Sequence, residues 1–82
     1  MSAQGLQRSF NELPFHEKMK LINSNGTYIT YRIYYNYKVS LYSYDRLFLE
    51  TWFDYKKDKV TEIKDVDLTT VQAKYCAAFK IR

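Results

Sequence analysis

The segment YITYRIYYNYKVSLYSY, Tyr28 to Tyr44, decides the fold, and it holds seven of the nine tyrosines of the chain in seventeen residues. Tyrosine and the β-branched residues around it favour strands, and a run of similar composition continues almost to residue 66. The run predicts four strands, at about residues 27–35, 37–44, 46–55 and 59–65. The breaks between them, at Asn36, at Asp45-Arg46 and at YKKD, are too short for a parallel crossover. The strands are therefore expected to form an antiparallel meander.

A helix is predicted before the strands, in the text NELPFHEKMKLINSNG. Asn11 is placed as the N-cap, Pro14 lies in the first turn, and Gly26 is expected to end the helix in a left-handed conformation. We expect this helix at about residues 12–24. One of its faces carries apolar residues at helical spacing, namely Phe15, Met19 and Ile22.

A second helix is predicted after the strands, with Asp67 as its N-cap. Its apolar stripe consists of Leu68, Val71, Tyr75, Ala78 and Phe79. The chain order is thus α-β-β-β-β-α, which defines an α+β fold. Residues 1–10 are expected to form a disordered N-terminal arm, and residues 11–82 a single domain, because 82 residues cannot sustain two cores.

The alternation of side chains along the strands separates an aliphatic face from an aromatic one. Strand three places Leu47, Leu49, Thr51 and Phe53 on one side and Phe48, Glu50, Trp52 and Asp54 on the other. Strand two divides in the same way, and we assign its Val39 and Leu41 to the aliphatic side. An antiparallel sheet can leave one face in water, so both helices are expected on the aliphatic face. The predicted core comprises Phe15, Met19, Ile22, Val39, Leu41, Leu49, Phe53, Leu68, Val71, Tyr75 and Phe79.

The aromatic face is the predicted binding surface, because its apolar area exceeds what a monomer normally exposes. The candidate binding residues are Arg32, Lys38, Tyr42, Tyr44, Phe48, Glu50 and Trp52. The alternative is that the sheet twists and a helix or the N-terminal arm crosses this face. In that case Trp52 is simply buried.

The composition of the chain limits which partners it is expected to bind and where in the cell it is expected to be found. Thirteen Lys and Arg against nine Asp and Glu give a net charge of +4, which favours anionic partners only modestly. The densest basic run, KKDK at residues 56–59, is expected to be a solvated turn. A single cysteine and an N-terminus without a signal-peptide segment indicate a cytoplasmic protein. No apolar run approaches the roughly 18–20 residues of a membrane span, so no membrane partner is expected.

No motif for catalysis, metal binding or nucleotide binding is present in the sequence. His16 is the only histidine and has no second ligand near it. Cys76 is expected to be a small buried residue of the second helix. The two glycines, Gly5 and Gly26, are too few and too far apart for a phosphate-binding loop. We therefore predict no cofactor, no metal and no enzymatic activity.

Glu50 is the one acid that invites a closer look, because it lies between Phe48 and Trp52 on the suspected face. Its expected role is an ion pair across the sheet with Arg32 or Lys38. A raised pKa and an acid–base role are the alternative.

The residues RIYYNYKVSLYSYDRLFLETWFDYKKDKVTEI, Arg32 to Ile63, resemble a class of small uncharacterised bacterial proteins. In that class an Arg-x-Tyr-Tyr-Asn-Tyr-Lys segment is followed by Leu-Tyr, a Glu-x-Trp strand and a closing hairpin. The resemblance covers about two fifths of the chain and leaves out residues 66–82. It carries no function. It implies only that a set of residues belongs together, namely Arg32, Asn36, Tyr42, Glu50 and Trp52.

Three classes of function are compatible with this sequence. The first is a protein-interaction module or homodimer acting through the aromatic face, since Tyr, Trp and Arg anchor interfaces. The second is single-stranded nucleic-acid binding through the same Tyr, Trp, Arg and Lys side chains, although Glu50 and Asp54 on that face would repel phosphate. The third is a small-ligand or enzymatic site, which requires a cleft. We favour the first class.

Overall fold

The structure, a computed structural model, describes residues 10–75. It contains α1 (Phe15–Asn25), β1 (Thr27–Tyr34), β2 (Tyr37–Tyr44), β3 (Leu47–Asp54), β4 (Lys59–Val66) and α2 (Leu68–Lys74). The predicted α-β-β-β-β-α order and the α+β class are confirmed. The predictions for Cys76, Ala78 and Phe79, and for the arm before Phe10, lie outside the described residues.

The four strands form one antiparallel sheet in the order β1-β2-β3-β4, as the short breaks predicted. The turns that join them contain three non-glycine residues with positive φ, namely Tyr35 at 53°, Asp45 at 52° and Asp58 at 57°. Aspartate tolerates this left-handed conformation because its short side chain bonds to the local backbone, whereas tyrosine adopts it less readily. Turn geometry of this kind matches the twist of tight hairpins and fixes their register.

The register of β2 on β3 corrects the predicted faces of the sheet. The turn at Asp45-Arg46 pairs Tyr44 with Leu47, so that Leu41 lies opposite Glu50 and Val39 opposite Trp52. Paired residues of an antiparallel sheet point to the same side. The assignment of Val39 and Leu41 to the side of Leu49 and Phe53 is therefore wrong. The length of one turn decided this, and strand composition does not encode it.

The two helices pack on opposite faces of the sheet, so the prediction that both lie on one face is wrong. On the α1 face, Ile22 and Phe10 pack with Leu47 and Leu49. On the α2 face, Val71 and Tyr75 pack with Leu41. Both faces present buried aliphatic residues because the register divides those of β2 and β3 between the two sides, and each face then needs a cover.

The core contains six of the predicted residues, and the structure adds two that were not in the predicted core. Ile22, Val39, Leu41, Leu49, Val71 and Tyr75 are buried as predicted, and Phe10 and Leu47 join them. Met19 and Phe53 are only partly buried. Phe15 and Leu68 were wrongly placed in the core, since they are 44% and 53% exposed. Each is the first residue of its helix, and the buried contact of that helix comes later along it, at Ile22 or Val71.

The first helix differs from the prediction at both ends, whereas the second begins as predicted but ends at Lys74, before Tyr75 of its predicted stripe. The residue before α1 is Pro14, which makes no side-chain cap, so Asn11 is not the N-cap. Gly26 follows α1 with φ of −79°, an extended rather than a left-handed conformation. A Cβ at Gly26 would lie 2.6 Å from the carbonyl oxygen of Ile22, so close approach explains this glycine. Asp67 caps α2 as predicted, accepting a 2.8 Å hydrogen bond from the amide of Thr70.

Candidate functional site

The centre of the α2 face is the carboxylate of Glu50, in the middle of β3. Glu50 is only 2% exposed. Its Oε2 accepts hydrogen bonds from the hydroxyl of Tyr75 at 2.7 Å and from Nη2 of Arg32 at 3.3 Å. Its Oε1 accepts from Nε1 of Trp52 at 3.1 Å. Three donors therefore stabilise a charge that would be costly to bury alone.

Arg32 supplies the positive charge of this network from β1, reaching Glu50 across the buried Val39 of β2. Its guanidinium carbon lies 5.4 Å from the ring centroids of Trp52 and Tyr75, within cation–π distance. The prediction that Glu50 pairs across the sheet is thus confirmed with Arg32. The other predicted partner, Lys38, pairs with Phe53 of β3 and belongs to the α1 face.

Tyr75 is held in its protonated form. Burial raises the pKa of the Tyr75 phenol above its ordinary value, and the hydrogen bond to the Glu50 carboxylate raises it further. A protonated phenol can donate to Glu50, whereas a phenolate would repel it. The network therefore joins Tyr75, the residue after α2, to the sheet and keeps its hydroxyl as a donor to Glu50.

A cleft of about 400 Å³ opens beside this network, between α2 and the strands β1, β3 and β4. We call it the cationic cleft. Its lining residues are Arg32, Tyr34, Glu50, Trp52, Lys64, Val66, Thr70 and Lys74. Lys64 lies opposite Glu50 on β4, and its Nζ is 4.3 Å from the ring centroid of Trp52. Three cations and one aromatic wall thus surround a single buried carboxylate.

The structure divides the predicted binding residues between the two faces of the sheet. Arg32, Phe48, Glu50 and Trp52 lie on the α2 face, whereas Lys38, Tyr42 and Tyr44 lie on the α1 face. Phe48 packs against the cluster of Leu41 and Val71. Tyr42 and Tyr44 pack against the core beneath α1. The continuous aromatic surface expected from the sequence is therefore absent from the described residues. The stated alternative holds in part: a helix crosses that face, but Trp52 is only partly buried.

Asn36, one of the residues that the resemblance groups together, has a local structural role with Asp54, the acid that was expected to repel phosphate. Asn36 donates a 2.9 Å hydrogen bond to Oδ1 of Asp54, which also accepts from the backbone amides of Lys56 at 2.8 Å and Lys57 at 3.3 Å. Burial alone would raise the pKa of Asp54, but these hydrogen bonds outweigh it and hold the pKa below its ordinary value. Asp54 therefore stays ionised and organises the β3–β4 turn.

Within residues 10–75, four of the six exposed aromatic side chains lie at the edge strand β1 and the turn after it. We call this region the β1 edge surface, and its residues are Tyr28, Tyr31, Ile33, Tyr34 and Tyr35. Tyr35 is 83% exposed. Sequence reasoning treated these tyrosines only as strand formers. The signal that could have revealed the surface is charge: in TYITYRIY the only charged residue is Arg32.

The opposite edge strand, β4, has a different character. Its sequence KVTEIKDV carries four charged residues among eight, namely Lys59, Glu62, Lys64 and Asp65. Its pairing with β3 shifts register between Trp52 and Phe53, which marks a bulge. Charges and bulges are the features that protect an edge from pairing with another chain. The pairing of β1 with β2 also shifts register, between Tyr28 and Thr30, so the two edges differ in charge: β1 has one charged residue and β4 has four.

Comparisons of the chain with protein-family models, with curated proteins and with solved structures find no match. Within residues 10–75, no helix is long and apolar enough to cross a membrane. In the same range, no group of three His, Cys, Asp or Glu side chains is placed to hold a metal ion. The geometry of the β1 edge surface and of the cationic cleft is therefore the basis for the functional argument.

Proposed function

We propose that this protein is an interaction module that forms a homodimer, in which the β1 strands of two copies pair at their free edges. The observation that supports it is the β1 edge surface, an eight-residue edge strand with exposed tyrosines and an exposed isoleucine. Strand pairing provides main-chain hydrogen bonds, and tyrosines anchor interfaces at low entropic cost. The interaction function expected from the sequence is retained, while its surface moves from the sheet face to the sheet edge.

A second copy of the chain fits this edge because the edge is self-complementary. Two β1 strands related by a two-fold axis would run antiparallel, so that Tyr31 and Ile33 of each copy approach the same residues of the other. The single charge of the strand, on Arg32, is paired with Glu50 inside its own subunit. Pairing two copies therefore brings no unpaired like charges of β1 together.

Single-stranded nucleic acid is the weaker candidate. Bases stack on aromatic side chains that follow one groove with basic residues along it. Here Tyr42 and Tyr44 lie on the other side of the sheet from Trp52, and the charge of Arg32 is engaged by Glu50. The aromatic side chains on which bases would stack are therefore divided between the two faces of the sheet.

Sedimentation velocity over a range of protein concentrations tests the homodimer. Wild-type protein is expected to change from monomer to dimer as concentration rises. Tyr31→Lys should remain monomeric, because it places a positive charge on the paired edge of each copy, close to Lys38, whose Nζ lies 4.7 Å from the Tyr31 ring centroid. The matched control is Tyr55→Lys, since Tyr55 is exposed to a similar degree, 53% against 50%, but lies in the β3–β4 turn. Tyr55→Lys should dimerise like the wild type.

Two outcomes would contradict the homodimer. The first is a wild-type protein that stays monomeric at all concentrations. The second is a dimer that Tyr31→Lys leaves intact, with the fold of both variants checked by circular dichroism. Titration of a fluorescent oligonucleotide at two salt concentrations is the parallel experiment for the weaker candidate, because phosphate contacts make such binding salt-dependent. Tight, salt-sensitive oligonucleotide binding by a monomer would replace the homodimer with nucleic-acid binding.

A further inference from the structure

We propose that the cationic cleft binds a small organic phosphate of about the size of a mononucleotide. This site lies between α2 and the strands β1, β3 and β4, and Tyr34 is the one residue that it shares with the β1 edge surface. The inference therefore does not depend on the homodimer. It rests on the charge balance of the cleft, on the unused donors of Arg32, and on the size and character of the walls.

The charge balance favours a dianion. Arg32, Lys64 and Lys74 line the cleft, and Glu50 is the only carboxylate among the lining residues. The Glu50 side chain is 3% exposed and already accepts three hydrogen bonds, so little of its charge reaches a ligand. A phosphomonoester carries about two negative charges near neutral pH, which matches three cations set against one carboxylate.

The two lysines of the cleft are available to a ligand. Lys64 contacts the Trp52 ring, and its ion pair is with an exposed carboxylate, Glu62, at 3.8 Å, a distance at which exposed pairs are weak. Lys74 lies in the last turn of α2. The helix dipole favours a cation there, but it does not explain why Lys64 of β4 lines the same cleft. An oxyanion bound between the end of α2 and β4 would contact the ammonium groups of both Lys74 and Lys64.

Arg32 has donors to spare. A guanidinium has five N–H donors, and within residues 10–75 Arg32 uses Nη2 for Glu50 while its buried Nε–H has no hydrogen-bond partner. The rings of Trp52 and Tyr75 hold the group in place. A planar guanidinium held in this way is suited to phosphate oxygens. A bound phosphate would give it a second acceptor besides Glu50.

The walls indicate that the phosphate is attached to an organic group. The cleft volume of about 400 Å³ exceeds what a bare phosphate fills and lies in the usual range for small-molecule sites. Tyr34, Trp52 and Val66 provide apolar and aromatic surface, and Thr70 adds a hydroxyl. A phosphate bearing a planar ring would use both the cations and these walls.

The fluorescence of Trp52 and calorimetry together test the site. Trp52 is the only tryptophan of the chain, so its emission reports on the cleft alone. Full-length protein is titrated with adenosine monophosphate, adenosine and inorganic phosphate, with emission corrected for ligand absorbance. Adenosine monophosphate is expected to saturate the protein and to shift Trp52 emission. Adenosine should bind far more weakly, and inorganic phosphate should compete with the nucleotide.

Matched lysine variants locate the binding. Lys64→Ala and Lys74→Ala should each raise the Kd for adenosine monophosphate about tenfold or more, the effect of losing one hydrogen bond to a charged group. Lys59→Ala is the control, because it removes the same charge from β4 at a position outside the cleft lining. Its Kd should stay within a factor of about two, a change too small for a lost hydrogen bond.

Three results would overturn the inference. They are the absence of saturable binding by either phosphate, equal weakening by Lys59→Ala and Lys64→Ala, and equal affinity for adenosine and its monophosphate. Repeating the titration on Tyr31→Lys separates this site from the proposed dimer. Binding that persists in a monomeric Tyr31→Lys protein supports the cleft as an independent site. Binding that is lost with the dimer, in a protein that remains folded, refutes that independence.

Discussion

The hydroxyl of Tyr75 lies 2.7 Å from Oε2 of Glu50, and this hydrogen bond joins the residue after α2 to the middle of β3. α2 has only seven residues, and a helix of that length is not stable by itself in water. Tertiary contacts must hold it, and Val71 and Tyr75 are its buried anchors. The stability of the α2 face should therefore depend on this single hydroxyl more than on helix propensity.

Tyr75→Phe should lower the free energy of unfolding by about 1.5–3 kcal/mol, the usual contribution of a hydrogen bond to a charged group. The ring is kept, so packing is largely preserved. Urea unfolding followed by circular dichroism measures the change. Tyr55→Phe is the matched control, because Tyr55 is exposed in the β3–β4 turn, and it should leave the midpoint unchanged. Equal midpoints for the two variants would show that the Tyr75 hydroxyl does not stabilise the fold.

Removing Glu50 should be more damaging than replacing the whole pair. Glu50→Ala leaves the partly buried Arg32 without its carboxylate, and breaking a buried pair in this way costs about 3–5 kcal/mol. The double variant Arg32→Met with Glu50→Leu removes both charges and should be more stable than Glu50→Ala. The urea midpoints of the three proteins provide the comparison. A double variant less stable than Glu50→Ala would refute the view that an orphaned charge causes the loss.

Leu49 and Leu68 offer a direct test of the two-sided core. Leu49 is fully buried on the α1 face, so Leu49→Ala should lower the free energy of unfolding by about 2–5 kcal/mol. Leu68→Ala should change it by less than about 0.5 kcal/mol, because that side chain is exposed. Thermal unfolding of both variants measures the difference. A large loss of stability in Leu68→Ala would show that Leu68 belongs to the core, as the sequence predicted.

Gly26→Ala should destabilise the fold even though its φ suits alanine. The new methyl group would lie 2.6 Å from the Ile22 carbonyl oxygen, so the backbone must shift at the junction of α1 and β1. We expect a loss of about 1–3 kcal/mol, the usual scale of overpacking. Asn25→Ala, one position earlier and exposed, is the control. An unchanged melting temperature for Gly26→Ala would mean that this junction adjusts freely.

Acid should weaken the protein partly through Asp54. Its pKa is lowered in the folded state, so its charge stabilises the fold above the unfolded-state pKa of about 3.9. That contribution is lost as pH falls toward the folded-state pKa. Asp54→Asn should therefore lose less stability than the wild type between about pH 5 and pH 3. Asp67, whose pKa is lowered mainly by its hydrogen bonds from Thr70, should keep part of the acid sensitivity in that variant. If the stability of the wild type and of Asp54→Asn fell equally with pH, Asp54 would not contribute to the acid sensitivity.

The strands were predictable from local chemistry, whereas their faces were not. Period-two alternation and the short breaks determine four antiparallel strands whatever the rest of the chain does. The side on which Val39 and Leu41 lie depends on whether the turn at Asp45-Arg46 has two residues or three, and one residue of slip reverses it. Composition contains no information on that count, and the single-face arrangement of the helices was wrong for this reason.

The candidate site was predictable only where its parts lie close together in the sheet. The pairing of Glu50 with Arg32 could be proposed because both residues belong to the predicted meander. The role of Tyr75 could not, since it lies 25 positions from Glu50 and depends on which face α2 covers. Lys64 and Lys74 were likewise indistinguishable in the sequence from the other exposed lysines of the chain.

The unequal edges of the sheet limit how far such a molecule could associate. If two copies join at β1, the combined sheet ends on both sides in β4, whose charged residues and bulge oppose the addition of a further strand. A self-complementary contact of this kind closes on itself. Association would therefore end at the dimer, whereas a protein with two unprotected edge strands could add further copies and form a fibril.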